Sequence, residues 1–473
     1  MDYIHWINEN IRDLLIGVSD KIWEFAEVGL KEEKSSRLLV DTLKQAGFTI
    51  ETGVADMPSA FVASYGHGKP VIGILGEYDA LPGLSQAAVP EKSPLKEGSP
   101  GHGCGHNLLG TAGLGAVLAV KQAIDAKDAR GTIRYYGCPA EETFNSKGYM
   151  IQAGFFKDVD ISLTWHPAYL NIVNEMTAMA MNSVVFKFYG QTAHAAGDPH
   201  NGRSALDAVE LTNIGANYLR EHIVPDGRLH YVITNGGEAP NIVPAFAEVW
   251  YFVRAPERYQ VEDIYERLIK VAQGATLMTE TRMEIDFLSG TYNPRHNSVV
   301  NGVIQEKMNI TGPPIFTGEE KKFAEKLLKT IPEGSMDGIK HLIPPELMEM
   351  AMQILSRPLN DVILPAMGKG KVMPGSTDVA DVSWVTPLGE FSIACHAMGS
   401  PGHSWQNTAT SGMSIGHKGM ITAAQVLALS AIEFMKNPDL VVKAAEEFND
   451  MIKDKPYTSP FPKGLKPPFH RLT

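Results

Sequence analysis

The sequence predicts an α/β protein in two parts: an α/β domain formed by residues 1–179 and 294–473, and an inserted ferredoxin-like domain over 180–293. Three observations carry this. Short, almost wholly apolar segments (Pro70–Gly76, Thr132–Cys138, Ile161–Trp165) each run into polar residues, as strands buried on both faces of a sheet do. From about residue 180 the order becomes β-α-β-β-α-β. A chain of 473 residues also exceeds what one hydrophobic core accommodates.

Taken in order, residues 3–46 carry helical periodicity (Ile4, Ile7, Ile11, Leu14, Ile22, Phe25, Leu39, Leu43), with Gly47 as a stop signal. Thr49–Thr52 and Ala60–Tyr65 are β-rich, and Pro70–Gly76 ends in Glu77-Tyr78-Asp79-Ala80-Leu81-Pro82. Residues 84–100 read as a loop, and the small apolar residues 108–120 as a buried helix. Thr132–Cys138 leads into Pro139-Ala140-Glu141-Glu142, Ser146–Ala153 is a short helix, and Ile161–Trp165 ends in His166-Pro167. The inserted unit consists of Met181–Tyr189, helix Arg203–Arg220, Leu229–Thr234, Ala247–Arg254, helix Val261–Ala275 and Met283–Leu288. Residues 296–370 look helical and irregular, and 374–384 turn-rich. Phe391–Cys395 is a strand, Ile415–Met435 and Leu440–Met451 are closing helices, and the five-proline tail from Lys455 is expected along the surface without regular structure.

Composition is that of an ordinary globular chain, 44% hydrophobic and 20% charged. A net charge of −12 excludes nucleic acid and anionic membrane as expected partners, since both demand a basic face. Three cysteines, at 104, 138 and 395, argue for a reducing compartment rather than a disulfide scaffold. No signal peptide and no uncharged apolar run of membrane length is visible, so the cytoplasm is the expected location.

The chemistry centres on Gly101–Asn107, where His102, Cys104 and His106 fall within five residues, spaced by glycines that let the backbone approach a bound atom. The candidate metal ligands are Cys104, His106, Glu142, His166 and His403, each at a strand end or a Gly/Pro-shaped loop. Imidazole, thiolate and carboxylate are donors for divalent first-row metals. Singly, each has an ordinary alternative: a satisfied or surface histidine, a small buried cysteine. The combination is what points to metal. Glu141 and Glu142 follow an apolar strand, where two carboxylates are costly to bury unpaired. Successive strand residues point in opposite directions, so one is expected to bind metal while the other reaches a water. Asp79 is placed to orient a ligating histidine through its second ring nitrogen.

Together, Glu77–Pro82, His102–His106, Glu141-Glu142, His166-Pro167 and Gly190-Gln191-Thr192-Ala193-His194-Ala195-Ala196 resemble the co-catalytic metallopeptidase family of carboxypeptidase G, aminoacylase and the auxin-conjugate amidohydrolases. The resemblance covers the chain apart from 296–370 and the tail, and the Cys-Gly-His form marks the amidohydrolase branch. It implies a mixed-sheet metallohydrolase domain with two divalent ions, manganese or zinc, held by Cys104, His106, Glu142, His166 and His403. It further implies Glu141 as general base, Asp79 steering the metal shell, and His194 and Asn241 at the oxyanion, with His194 reaching a partner's site. Arg254 is implied as the grip on a substrate carboxylate. Glu77 stands where distant relatives carry a histidine or aspartate ligand, and it is left outside the metal group. The expected activity is hydrolysis of the amide of an N-acyl or N-aroyl amino acid with an acidic amino-acid part, p-aminobenzoyl-glutamate being one such conjugate. Indoleacetyl or acetyl amino acids are the alternatives. The inserted domain is expected to dimerise, with a copy of itself or a related subunit. Three rivals stand: a cysteine amidase using Cys104, a phosphate cradle at 101–115 lacking the lysine of a P-loop, and a non-enzymatic partner keeping the fold.

Overall fold

The computed structural model describes residues 1–337, 343 and 348–471. Its larger sheet comprises β1 (Thr49–Thr52), β2 (Phe61–His67), β3 (Val71–Glu77), β4 (Gly131–Cys138), β5 (Ile161–Ala168), β6 (Ile172–Val173) and β13 (Leu388–Ala394), in the order β1-β2-β4-β3-β5-β13-β6. The central pairs β4–β3, β3–β5 and β5–β13 are parallel, whereas β1–β2, β2–β4 and β13–β6 are antiparallel. The sheet is therefore mixed, with a parallel centre whose C-terminal ends open on one edge, where ligands collect in such sheets.

Helices cover both faces. The helices His106–Asp125 and Ser414–Lys436 are long and apolar enough to cross a membrane by composition alone, yet they pack on each other and against the sheet as its core. The opposite face carries a second cluster around Tyr136, Phe144, Tyr149 and Phe461. The helical periodicity of 3–46 resolves into three helices, Tyr3–Asn10, Arg12–Phe25 and Glu33–Gln45. The break after Phe25 is a left-handed cap at Ala26.

Between β7 (Thr177–Ala178), which pairs with β12 (Val372–Met373), and residue 292 lies a separate sheet. Its strands are β8 (Ala180–Tyr189), β9 (Arg228–Asn235), β10 (Phe246–Ala255) and β11 (Arg282–Thr291), in the antiparallel order β11-β8-β10-β9. Helices Ala205–Leu219 and Arg258–Thr279 cover the face carrying Val249, Tyr251 and Val253. This is the topology expected of a β-α-β-β-α-β unit. The sheet ends on one side in β9, an unpaired edge with Tyr231, Val232 and Ile233 exposed.

The stretch 296–370, read as helical and irregular, contains the helices Ser298–Thr311, Gly318–Leu328 and Met348–Leu355 with irregular chain between them, while 338–342 and 344–347 lie outside the described residues. One expectation needs correction. The tail is anchored rather than loosely laid on the surface. Phe461 is buried and stacks on Tyr149, Tyr457 donates to Asp381, and Arg471 pairs with Glu248 and Asp286 of the inserted sheet. Prolines ended the regular structure there, but aromatic and charged side chains supplied the anchorage.

Candidate metal centre

The site is assembled at the C-terminal ends of the parallel strands. Gly105, at φ 81°, turns the chain so that the helix beginning at His106 starts under the strand ends. Gly110 lets this helix lie against β3, because a Cβ there would stand 2.5 Å from the Glu77 carbonyl oxygen. His106 is thereby fully buried beside Asp79, whose Oδ1 lies 2.8 Å from Nδ1. Asp79 Oδ2 accepts the backbone N–H of Glu142 at 3.0 Å. One carboxylate thus fixes both a ring and a turn, leaving His106 Nε2 directed into the pocket.

Glu141 and Glu142 do not extend β4 as expected. Ala140 adopts a left-handed conformation (φ 54°), and the two glutamates open a one-turn helix, Glu141–Phe144. Their divergence comes from this turn rather than from strand alternation. The buried Glu32 accepts the Ala140 N–H at 2.7 Å and so holds the turn. Burial, reinforced by Asp79, pushes its carboxyl up to about 8. His166 lies inside β5, not beyond it, with Nδ1 2.8 Å from the Pro167 carbonyl oxygen and Nε2 3.4 Å from Cys104 Sγ. A carbonyl only accepts, so Nδ1 carries the proton and Nε2 is the free donor atom. His403, half exposed, places Nε2 3.2 Å from Glu142 Oε2.

All five expected ligands meet. Donor atoms of Cys104, His106 and His166 lie within 4.8 Å of one another, as do those of Cys104, Glu142 and His403, and those of Glu77, His106 and Glu141. Ligands bound to a tetrahedral zinc at about 2.0–2.3 Å stand roughly 3.3–3.6 Å apart, close to the 3.4 Å of Cys104–His166. His106 Nε2 and Glu142 Oε1 are buried and have no hydrogen-bond partner among the described residues. Other buried polar atoms are unpaired as well, but these two sit within the donor groups, where an ion would satisfy them.

The electrostatics agree. Burial, with Glu77 and Glu142 adding to it, pushes the Glu141 carboxyl well above the usual range. Burial also raises Glu142 and the Cys104 thiol, and it lowers His166. For His106 burial acts downward, but Cys104 and Asp79 outweigh it and raise the imidazole. The pocket crowds acidic groups whose ionised forms burial disfavours, and a bound cation would favour them.

The structure does not bring everything together. His102 belongs elsewhere: its Nε2 lies 3.0 Å from the Ile22 carbonyl oxygen, and burial lowers the ring to about 4. His194 is exposed on the inserted domain, where its Nδ1 accepts the N–H groups of Ala196 and Gly197. Asn241 is exposed beside it, its carbonyl accepting from Ala195. Arg254 stacks on Phe252 at the end of β10, and its buried Nε has no hydrogen-bond partner among the described residues. None of these three joins the donor groups around Cys104 and His106. Residues that sequence reasoning missed are Glu32, Lys147 and Asp378, all buried beneath the pocket. No local pattern around them, polar or turn-rich in each case, signalled their burial.

The comparisons with known proteins agree with this geometry. The peptidase dimerisation domain of M20 proteins matches residues 179–277. One of the p-aminobenzoyl-glutamate hydrolase subunits of Escherichia coli K12 is 40% identical over 457 residues, covering 95% of both chains. An Xaa-Arg dipeptidase of Mus musculus is 26% identical over 93% of this chain and 89% of its own. A dinuclear metal binding peptidase of the M20 family from Bacillus subtilis shares the fold at TM-score 0.55 and 15% identity, over 90% of this chain and 99% of that one. A Cys-His-Glu-His-His cluster at the strand ends of a mixed sheet, an inserted β-α-β-β-α-β unit and full-length similarity thus converge, and the chain belongs to the M20 family of metallopeptidase-like amidohydrolases.

Proposed function

We propose that the chain hydrolyses the amide bond of an N-acyl or N-aroyl amino acid with an acidic amino-acid part, p-aminobenzoyl-glutamate being the leading candidate. The observation that carries this is the convergence of Cys104, His106, Glu142, His166 and His403 around donor positions within 4.8 Å, with Glu141 alongside. The 40% identity to a component of a p-aminobenzoyl-glutamate hydrolase supports the substrate class.

In this reading the five side chains hold two divalent cations, manganese or zinc, which supply Lewis acidity at the scissile carbonyl. Glu141 takes the proton of the attacking water and returns it to the departing amine, a role suited to a carboxyl raised by burial. Asp79 keeps the His106 ring in place. Arg254, with its Nε unpaired, grips the substrate carboxylate through a planar fork. His194 and Asn241, displayed outward together, steady the oxyanion in a partner's site. The exposed apolar edge of β9 supports pairing with that partner, either a second copy or a related subunit.

The test is a hydrolysis screen of p-aminobenzoyl-glutamate, indoleacetyl-aspartate and acetylated amino acids, with metal analysis of the purified protein. Cleavage of the first, lost to a chelator and restored by Mn²⁺ or Zn²⁺, is expected. Activity indifferent to chelator but abolished by thiol alkylation would instead identify a cysteine amidase.

A further inference from the structure

Beneath the pocket lies a charge cluster that this scheme does not use. Lys147 is fully buried; its Nζ donates to Glu77 Oε1 and to Asp378 Oδ1, each at 2.6 Å. Its backbone N–H donates to Asp378 Oδ2 at 2.9 Å. Three distant segments meet here: the end of β3, the helix Ser146–Gln152 that follows the glutamate turn, and the turn-rich stretch 374–384. A buried ion pair barely repays its own desolvation, so a lysine sealed between two carboxylates calls for a reason beyond stability.

The geometry supplies one. Lys147 occupies one oxygen of Glu77, and the other, Oε2, faces His106 Nε2 at 3.2 Å. That separation is short enough for a hydrogen bond, yet His106 Nε2 has no hydrogen-bond partner among the described residues. The two atoms are close without making a hydrogen bond to one another. Their spacing is close to that of two donors on one cation, about 3.3 Å for bonds of about 2.0–2.1 Å. One donor atom from each of Glu77, His106 and Glu141 lies within 4.8 Å of the other two. Two carboxylates against one ammonium also leave a negative excess, turned toward the pocket.

We propose that Glu77 is a further protein ligand of the cation that His106 binds, and that Lys147 and Asp378 are positioning residues that clamp its carboxylate in that orientation. The proposal rests on the pocket being a metal centre and on nothing about the substrate.

The experiment therefore uses no substrate. The full chain is stripped with a chelator and titrated with Zn²⁺ or Mn²⁺ against a chromogenic competitor, and the melting temperature is recorded for stripped and loaded protein. Glu77→Gln is expected to weaken binding of one cation at least about tenfold to a hundredfold. The stripped protein should melt at the same temperature or higher, because Lys147 keeps Asp378 and one charge leaves the carboxylate crowd. Unchanged affinity with a lower melting temperature of the stripped form would overturn the proposal and leave Glu77 a counter-ion of Lys147. Should Glu77→Gln fail to fold, Asp378→Asn, in which Lys147 still holds Glu77, is expected to weaken the same cation about tenfold. Unchanged affinity there overturns the positioning role. Wild-type protein that binds no cation would sink the metal reading and this proposal together, whereas tight binding kept in Glu77→Gln sinks this one alone.

Discussion

The floor of the metal pocket and the inserted domain carry side chains of similar chemistry in opposite settings. On the floor, Glu32, Glu77, Asp79, His106, Lys147 and Asp378 are almost wholly buried and held by bonds from four or more segments. On the inserted domain, His194 and Asn241 face solvent, and Arg254 ends β10 with its Nε lacking a hydrogen-bond partner among the described residues. Burying charge is tolerated only where each group is paired or awaits an ion, so the floor is self-contained. On the inserted domain the corresponding groups face solvent, and we propose that their counterparts are a partner and a substrate.

Four measurements can break or sharpen that contrast. The largest effect is expected from Glu141→Gln: kcat should fall by about 10²–10⁴, with metal content unchanged, since Glu141 is not among the five side chains proposed to hold the ions. Next, His194→Ala should cost about 10²–10³ in kcat. Mixed with Glu141→Gln protein, it should recover up to about a quarter of wild-type activity, because a symmetric mixed pair holds one intact site. No recovery would mean that His194 serves its own chain or none. Arg254→Lys should raise KM for acidic conjugates roughly tenfold to a hundredfold, the loss of about 1.5–3 kcal/mol expected when a charged fork is removed, while kcat changes little. An equal loss on conjugates without a second carboxylate would show that it reads only the carboxylate common to all amino acids.

The smallest effect concerns how the two regions are joined. Burial pushes Asp286 upward, but Lys187, His470 and Arg471 prevail and hold it at about 2. A carboxyl depressed in the folded state adds stability that is complete above its unfolded value near 4 and disappears as pH falls through about 2. Asp286→Asn should therefore lower the melting temperature by about 2–4 °C at pH 7 and by progressively less as pH falls from about 4 through about 2. Thermal scans across that range decide it.

The apolar strands at 71–77, 131–138 and 161–168 were legible because parallel strands buried on both faces need unbroken apolar runs. The five donor residues were legible from their types and their glycine settings. Glu77 was not, because a glutamate closing an apolar strand has the same appearance whether it meets solvent, lysine or metal. Lys147 and Asp378 lie 231 residues apart, and no local pattern links them. The tail misled for the same reason: its prolines are visible, but the contacts of Phe461 with Tyr149 and of Arg471 with Glu248 are not.

By itself, then, the sequence determined the strands, the helices, the inserted unit and the inventory of candidate metal ligands, because periodicity and residue type are local properties. Only the tertiary structure decided that His102 turns away to Ile22, that Glu141 and Glu142 diverge on a helical turn, and that a lysine sits under the pocket. Those outcomes depend on which distant groups can neutralise one another once water is excluded, and that balance exists only in the folded chain.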